Sequence, residues 1–266
     1  MRAQVKRPAA AAPLVGKVTV CENPETAMPS ATLTAATPRT TPRAAAELSV
    51  IIPAFNEETR IETAIASAWN AGAGEVVVVD GGSTDGTRER AASGARVVLA
   101  PRGRASQMNA GARAASGETL LFLHADARLP AGAAAAVRAA LADPGVGGGA
   151  FRMRIDDGRA WYRIVTALAQ ARAALCGITL GDQAIFVRRE AFAAAGGFRP
   201  IPILEDLDLV ERLRRRARFR ILRPEVVSSP RRWESRGRWR TSLANLLILL
   251  LYRAGARPET LAGLYQ

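Results

Sequence analysis

Leu-Ser-Val-Ile-Ile-Pro-Ala-Phe, residues 48–55, is the stretch that decides the fold of this chain. A short apolar run rich in β-branched residues is typical of a strand that is buried on both faces of a parallel sheet. Outward from it, residues 59–71 carry apolar side chains at helical spacing, and a second β-branched run follows at 75–79. Strand, helix and strand in this order predict a βαβ unit, which is the building block of an α/β fold.

The same alternation continues along the chain. We predict helices at 87–92, 106–115 and 131–141 and strands at 96–99 and 119–123. Beyond them we predict a strand at 151–155, a helix at 160–175, a strand at 184–187, a helix at 204–218, and edge strands at 219–222 and 226–228. Short connections between alternating elements imply parallel strands joined by right-handed crossovers. The expected fold is therefore one α/β domain over residues 47–266, with a mostly parallel sheet flanked by helices.

The composition limits the classes of protein that fit. Hydrophobic residues make up 48% of the chain, which excludes global disorder. Residues 1–46 differ because they are rich in Ala, Pro and Thr without periodicity, and we predict a disordered extension there. Only two cysteines occur, Cys21 and Cys176, which argues against a disulfide scaffold or a zinc site and favours a reducing cytoplasm.

The formal net charge of +13 rests almost entirely on arginine. Fifteen arginines and six acids lie between Arg199 and Arg257. Such a surface attracts phosphate groups of nucleotides, anionic lipids or nucleic acid. A general preference for Arg over Lys explains the same count equally well.

Acidic residues follow two of the predicted strands. Asp80 closes the second strand and opens a glycine-rich loop, residues 81–87, where the backbone can approach a nucleotide or simply form a turn and a helix cap. Asp126 follows the strand at 119–123, and a carboxylate there suits Mg²⁺ or Mn²⁺ bound to a diphosphate. His124 is the only histidine, and its place beside Asp126 favours a role in the site. The first strand lacks a G-x-G-x-x-G turn, which argues against NAD and FAD.

These and other motifs occur in the order seen in a known family. They are Pro53-x-x-Asn56-Glu57-Glu58, the segments 79–87 and 102–111, His124-Ala125-Asp126, Gly181-Asp182-Gln183, Glu205-Asp206 and Arg231-Arg232-Trp233-Glu234. With these motifs the chain resembles family 2 glycosyltransferases of the GT-A fold, and within them the radical-SAM/selenodomain-associated transferase 2 subgroup. The resemblance covers roughly residues 48–266.

The resemblance implies a role for individual residues. A nucleotide sugar would be bound by Pro53, Ala54, Phe55, Glu57, Asp80, Ser83, Arg104, Asn109, His124 and Asp126. Asp126 would also hold the metal ion, Mg²⁺ or Mn²⁺. Asp206 would be the general base that deprotonates the acceptor hydroxyl, and a solvated acid in the first turn of a helix is the alternative. The acceptor side would be formed by Asp182, Gln183, Glu205, Arg232 and Trp233.

Three positions depart from the family pattern. Gly81 stands where a second acid often follows Asp80. His124 stands where the first acid of the D-x-D motif is usual, which removes one negative charge from the metal site. Ser229 stands at the glutamine position of the Q-x-x-R-W motif of processive synthases. Synthesis of a polymer by a processive mechanism is therefore not expected.

The C-terminal region combines apolar and basic residues. Residues 243–252 are strongly apolar but span about half the length that a membrane-crossing helix needs. We expect a helix over about 238–256 that either lies on an anionic membrane surface or closes the core of the domain. No base-stacking platform accompanies the arginines, so nucleic acid is not an expected partner.

The sequence thus predicts a metal-assisted glycosyltransferase that moves a sugar from a nucleotide-diphosphate sugar to the hydroxyl of a lipid or small molecule, with inversion at the anomeric carbon. The expected location is the cytoplasm, with peripheral association at the inner face of the membrane. Two alternatives remain at this stage: a nucleotidyltransferase, and a non-catalytic membrane-associated protein that binds nucleotide sugars.

Overall fold

A nine-stranded sheet runs through the part of the chain that the computed structural model describes, which is residues 18–20, 47–176 and 178–265. Its strands are β1 Val18–Val20, β2 Leu48–Ala54, β3 Glu75–Asp80, β4 Arg96–Leu99, β5 Thr119–Phe122, β6 Ala127–Arg128, β7 Val146–Ile155, β8 Ile185–Arg188 and β9 Arg218–Ser228. They lie side by side in the order β1-β4-β3-β2-β5-β8-β7-β9-β6. The neighbours from β1 to β5 pair in parallel, and β8 pairs antiparallel with both β5 and β7. The predicted mixed, mostly parallel sheet is confirmed.

Helices flank this sheet. A 3₁₀ turn, Gly181–Gln183, precedes β8. The α-helices are α1 Ile61–Asn70, α2 Thr87–Ala92, α3 Arg104–Ala114, α4 Ala133–Leu141, α5 Ala160–Cys176, α6 Arg189–Ala194, α7 Glu205–Arg214, α8 Arg231–Arg236, α9 Arg238–Arg253 and α10 Pro258–Tyr265. Among the described helices, none is long and apolar enough to cross a membrane.

The central strands are buried on both faces, as their unbroken apolar sequence predicts. Every residue of β2 and β3 is buried. On one face Val50 and Ile52 pack with α1 and α4, and on the other Ile51 packs with α3 and α7. This packing fixes the carboxyl ends of the strands, where the acidic residues lie.

The N-terminal region differs from its prediction at one point. Val18–Val20 pairs in parallel with β4, although we predict no strand in residues 1–46. Residues 1–17 and 21–46, for which we predict disorder, lie outside the described residues.

The second half of the sheet also differs from the prediction. Strand β7 begins at Val146, before the predicted start, and includes a run of glycines. A Cβ at Gly149 would overlap the carbonyl of Arg220 and the ring of Phe186, so the absence of side chains is what lets these strands approach. The two predicted edge strands form the single strand β9, which pairs with β7 on one side and β6 on the other. An irregularity in its register near Pro224 accommodates the missing N–H of that residue.

Helix α3 packs against the sheet at Gly111. A Cβ at this position would overlap Cγ2 of Ile51 and lie 2.9 Å from Cγ2 of Val79. We expect Gly111→Ala to lower the free energy of unfolding by roughly 1–3 kcal/mol because the site has no room for a methyl group. Urea denaturation measures the change. Gly263→Ala is the matched control, since Gly263 lies in α10 with open space around it, and an equal loss in both variants would contradict the close packing.

Candidate active site at the carboxyl edge of the sheet

The loops that follow β2 and β3 are tied together by hydrogen bonds. The backbone N–H of Asn56 donates to Oγ of Ser83 at 3.0 Å, and the N–H of Thr84 donates to Oδ1 of Asn56 at 2.9 Å. The N–H of Glu57 donates to Oγ1 of Thr87 at 2.8 Å. Asn56 has a φ of 53°, a left-handed conformation that Asn tolerates well. The two loops therefore form one preorganised shelf beside the strand ends.

Asp80 stabilises the loop that it opens. Its side chain is fully buried, and its carboxylate accepts the N–H groups of Gly82 and Ser83 at 3.1 Å. Arg88 lies 3.9 Å from the same carboxylate. The structure shows a local structural role, and the contact of Asp80 with a nucleobase stays a prediction.

Gln107 fixes the ends of two strands and was not among the predicted site residues. Its Nε2 donates to the carbonyls of Ala54 and Val79, each at 2.8 Å, and its Oε1 accepts the N–H of Gly103 at 3.3 Å. The side chain is buried. The sequence signal for it is a glutamine that stands among small residues in the segment 102–111.

Of the residues predicted to bind the nucleotide sugar, Pro53 and Ala54 are buried, whereas Phe55 is half-buried. The guanidinium carbon of Arg102 lies 3.9 Å from the centroid of the Phe55 ring, a cation–π contact. Phe55 therefore lies at the end of β2 with Arg102 over its ring.

Asn109 does not face an open cleft in this structure. Its Nδ2 donates to the carbonyl of Phe198 at 2.8 Å, and its Oδ1 accepts the N–H of Phe198 at 3.0 Å. Both ends of the amide are therefore used in holding the segment after α6. That Asn109 borders the nucleotide stays a prediction.

Asp126 lies beside an arginine that sequence reasoning missed. Nη2 of Arg231 is 3.5 Å from Oδ2 of Asp126 and 2.6 Å from Oε1 of Glu57. Nη1 of Arg231 donates to Oε2 of Glu57 at 3.1 Å, which makes the pair bidentate. Arg231 begins α8 directly before Arg232 and Trp233, and the sequence alone does not tell which of two successive arginines faces the cleft.

Asp206 and His124 meet at the turn that contains Gly181. The N–H of Gly181 donates to Oδ2 of Asp206, and the N–H of Leu207 donates to Oδ1 at 2.7 Å. A Cβ at Gly181 would lie 2.8 Å from Nε2 of His124 and 3.0 Å from Oδ2 of Asp206. The predicted base and the segment that carries Asp126 thus lie together at this turn. A side chain at Gly181 would crowd both His124 and Asp206.

The electrostatics of the cleft reflect the same convergence. Burial, with Arg104 nearby, lowers the pKa of His124 below its usual value, although Asp126, Asp182 and Asp206 oppose the shift. The imidazole is therefore neutral at pH 7. Burial raises the pKa of Asp182, and its Oδ1 is buried without a hydrogen-bond partner. An unpartnered buried oxygen of this kind is ready to accept a ligand hydroxyl.

Glu205 forms an ion pair across the cleft. Its Oε1 lies 2.6 Å from Nε of Arg104, and its side chain is 2% exposed. Burial, together with the charge of Asp206, raises the pKa of Glu205 to about 7 despite Arg104. Glu205 therefore changes its charge near neutral pH.

This pKa leads to a prediction for stability. Because the folded protein holds the proton of Glu205 to a higher pH than the unfolded chain, the free energy of unfolding falls as pH rises from about 4.5 to about 7. In Glu205→Gln we expect this part of the pH dependence to disappear. Denaturant unfolding at several pH values measures it. Glu58→Gln changes a glutamate whose side chain is 38% exposed, and it serves as the control. This variant should keep the wild-type dependence of the free energy of unfolding on pH.

Three residues predicted for the acceptor side contact other parts of the protein. Gln183 is fully buried, and its amide bonds the backbone of Phe151 and Leu180. The indole N–H of Trp233 donates to Ser242 at 3.3 Å. Arg232 lines a small pocket with residues of α9 and α10. These side chains bond to the protein itself or line a pocket against the C-terminal helices, and their place on the acceptor side stays a prediction, as it does for Asp182 and Glu205.

The metal expectation is consistent with the donors present. Among the described residues, no group of three or more His, Cys, Asp or Glu side chains is arranged to hold a metal ion. Asp126 nonetheless presents a carboxylate that is 24% exposed. Mg²⁺ and Mn²⁺ accept oxygen ligands and commonly use one or two carboxylates together with substrate phosphates and water. The residues therefore fit an ion held jointly with a diphosphate.

The model of glycosyl transferase family 2 matches residues 49–192, more than half of the chain. The chain belongs to this family. The match is to the glycosyltransferase family as a whole, so the narrower subgroup resemblance stays a prediction. No curated protein sequence matches the chain significantly.

Solved glycosyltransferases share the fold. The mannosyltransferase PcManGT from Pyrobaculum calidifontis, in complex with GDP-Man and Mn²⁺, is 26% identical with a TM-score of 0.59, covering 84% of this chain and 70% of that one. Glucosyl-3-phosphoglycerate synthase from Mycobacterium tuberculosis, in complex with Mg²⁺ and UDP, is 25% identical with a TM-score of 0.50, covering 68% and 70%. S. aureus TarS 1-349 in complex with UDP-GlcNAc, at 19% identity, 69% and 58% coverage and a TM-score of 0.54, shares the fold alone. These complexes are consistent with the predicted GT-A architecture of this glycosyltransferase.

Proposed function

We propose that this family 2 glycosyltransferase moves a sugar from a nucleoside diphosphate to an acceptor hydroxyl, with Asp126 as the metal ligand and Asp206 as the base. The observation that carries the proposal is the meeting of the two predicted centres at Gly181, where Nε2 of His124 and Oδ2 of Asp206 flank the same point. A donor and an acceptor bound in this cleft are close enough to react.

The shelf after β2 and β3 is the proposed seat of the nucleotide. Phe55 and Glu57 border it, and Ser83 and Asp80 keep its shape. Arg104 reaches the cleft from the first turn of α3, where its charge attracts the diphosphate. When bound by Asp126, Mg²⁺ or Mn²⁺ neutralises charge on the leaving diphosphate.

Asp206 is the proposed general base. Two backbone N–H groups orient its carboxylate, which lies in the first turn of α7. The acceptor oxygen forms a bond to the anomeric carbon while the bond from that carbon to the diphosphate oxygen breaks. The acceptor proton passes to Asp206. A single displacement of this kind inverts the anomeric centre.

We include Arg231 among the donor-binding residues because it lies 3.5 Å from Asp126. We expect Arg231→Met to weaken the affinity for a nucleoside diphosphate by about tenfold, since a hydrogen bond to a charged group is lost. Calorimetric titration with UDP and GDP measures it. Arg232→Met is the adjacent control, and an equal loss there would contradict the assignment of Arg231.

Structures of other glycosyltransferases support the donor class. PcManGT binds GDP-Man with Mn²⁺, and the mycobacterial synthase binds UDP with Mg²⁺. By analogy we propose a nucleotide-diphosphate sugar as the donor and a lipid or small molecule as the acceptor. We also propose a cytoplasmic enzyme whose helix α9 contacts the inner face of the membrane, which the exposed arginines of that helix support.

Release of nucleoside diphosphate from a panel of UDP, GDP and other nucleotide sugars tests this function. We expect turnover with Mn²⁺ or Mg²⁺ and none after chelation with EDTA. The proposal fails if purified protein binds no nucleotide of the panel in the presence of either metal.

A further inference from the structure

Helix α9 has one buried face and one exposed apolar face. Ile248 and Leu249 pack against Leu204 and Leu207 in the core. The opposite face is 45–75% exposed and consists of Trp239, Leu243, Leu246, Leu247 and Leu250. The predicted role in closing the core therefore holds for one side of α9, and the other side is left exposed.

Helix α5 extends the exposed apolar face. Ile164 and Leu168 are 54% and 65% exposed and lie one helical turn apart. The ring of Trp161 on α5 lies 4.0 Å from that of Trp239 on α9, measured between centroids, which brings the helices together. We call the seven exposed side chains on these two helices the α5/α9 face. Large exposed apolar areas of this kind mark binding surfaces.

The charge around the α5/α9 face indicates what covers it. Residues 231–257 contain seven arginines and a single acid, Glu234, which is 2.9 Å from Arg159. Arg238 and Arg240 are exposed at one end of α9, and Arg253 is exposed at the other. A second copy of the chain would bring the same positive charge against it. An anionic bilayer complements both the apolar face and its basic border.

The α5/α9 face is connected to the cleft. Arg231, which contacts Asp126, and Trp233, which bonds Ser242 of α9, lie in the same short helix α8. A cavity of about 480 Å³ lies along α5 and is lined by Ala167, Gln170, Ala171 and Ala173 of that helix, and by Arg152, Gln183 and Ile221. Gln183 lies in the same turn as Gly181, whose N–H donates to Asp206, so an acceptor that enters this cavity along α5 would reach the turn that holds the proposed base.

We propose that the α5/α9 face docks on an anionic membrane and that the acceptor is an alcohol anchored in that membrane by an apolar chain. The docking surface stands on the exposed side chains and their charge, whereas the acceptor class rests on the proposed transferase function. In the transfer, the lipid hydroxyl forms the bond to the sugar carbon, the diphosphate leaves, and Asp206 takes the proton.

Sedimentation with vesicles tests the docking surface. We expect the full chain to bind vesicles of phosphatidylcholine with phosphatidylglycerol and not vesicles of phosphatidylcholine alone. The pair Leu243→Ser and Leu247→Ser should reduce binding about tenfold by removing exposed apolar area. A second variant, Arg238→Gln with Arg240→Gln, should reduce it without touching an apolar contact. Trp69→Ser, at another exposed tryptophan on α1, should bind as wild type.

Three results overturn the docking proposal: no binding of the wild type, equal binding to both kinds of vesicle, or unchanged binding by the leucine and arginine variants. If the wild type binds no vesicles but forms a dimer in light scattering, and the leucine variant is a monomer, the α5/α9 face binds a second copy of the chain instead. Titration with UDP and GDP separates these outcomes from failure of the proposed function, because the surface variants should keep nucleotide affinity.

The acceptor class is tested with matched alcohols. We expect faster transfer to diacylglycerol in anionic vesicles than to glycerol in solution, and loss of that advantage in the leucine variant. Equal or faster transfer to glycerol overturns the lipid assignment while leaving the vesicle result intact.

Discussion

Asp206→Asn is expected to lower kcat by roughly 10²–10⁴-fold, the usual contribution of a positioned general base. Asparagine has the same size as aspartate, and its one amide oxygen can still accept one of the two N–H groups, of Gly181 or Leu207, that Asp206 accepts. It cannot take the acceptor proton. Affinity for the nucleoside diphosphate should stay unchanged because Asp206 lies on the acceptor side of the cleft. Steady-state kinetics with calorimetric titration measure the two quantities on the same sample.

Asp208→Asn is the matched control, in the same turn of α7. Asp208 pairs with Arg212 at 2.6 Å and with Arg199 at 3.1 Å, so its loss should cost stability of about 3 kcal/mol and leave kcat near the wild-type value. If Asp206→Asn kept its activity, or if both variants lost kcat equally, Asp206 would not be the base.

Asp126→Ala is expected to remove metal-dependent turnover, a loss on the order of 10²–10³-fold. The carboxylate is the proposed protein ligand of the ion, and the chain places the neutral His124 where a second acid is usual. Removing Asp126 therefore leaves the leaving diphosphate without its countercharge. Titration of activity with Mn²⁺ measures the effect. Asp156→Ala, at an exposed acid paired with Arg128, should show the wild-type dependence.

The fold was predictable where local pattern and tertiary packing agree. Helix α2 and strand β4 have the predicted bounds, because the apolar positions of each, Ala91 in α2 and Val97 and Val98 in β4, are buried in the core as the local pattern predicts. Strand β7 was not predicted from its start, since the glycines that weaken a strand locally are the residues that fit beneath Phe186. The contact that decides this lies far away in sequence.

The site was predictable in its carboxylates and less so in its polar and basic residues. Asp126 and Asp206 follow from strand ends and a motif, and the structure brings their segments together. The roles of Arg231 and Gln107 depend on the direction in which each side chain points, and the sequence does not reveal that direction. Asn109 and Trp233 belong to the motifs, yet their polar atoms bond to the protein itself.

Uptake of Mn²⁺ by the protein, followed by electron paramagnetic resonance as UDP or GDP is added, tests the central claim most directly. The described residues contain no cluster of three metal-ligating side chains, so the ion needs the diphosphate as well as Asp126. We predict tight binding of Mn²⁺ only with the nucleotide present, in the wild type and in Asp206→Asn but not in Asp126→Ala. Equal binding of Mn²⁺ by Asp126→Ala would contradict the account.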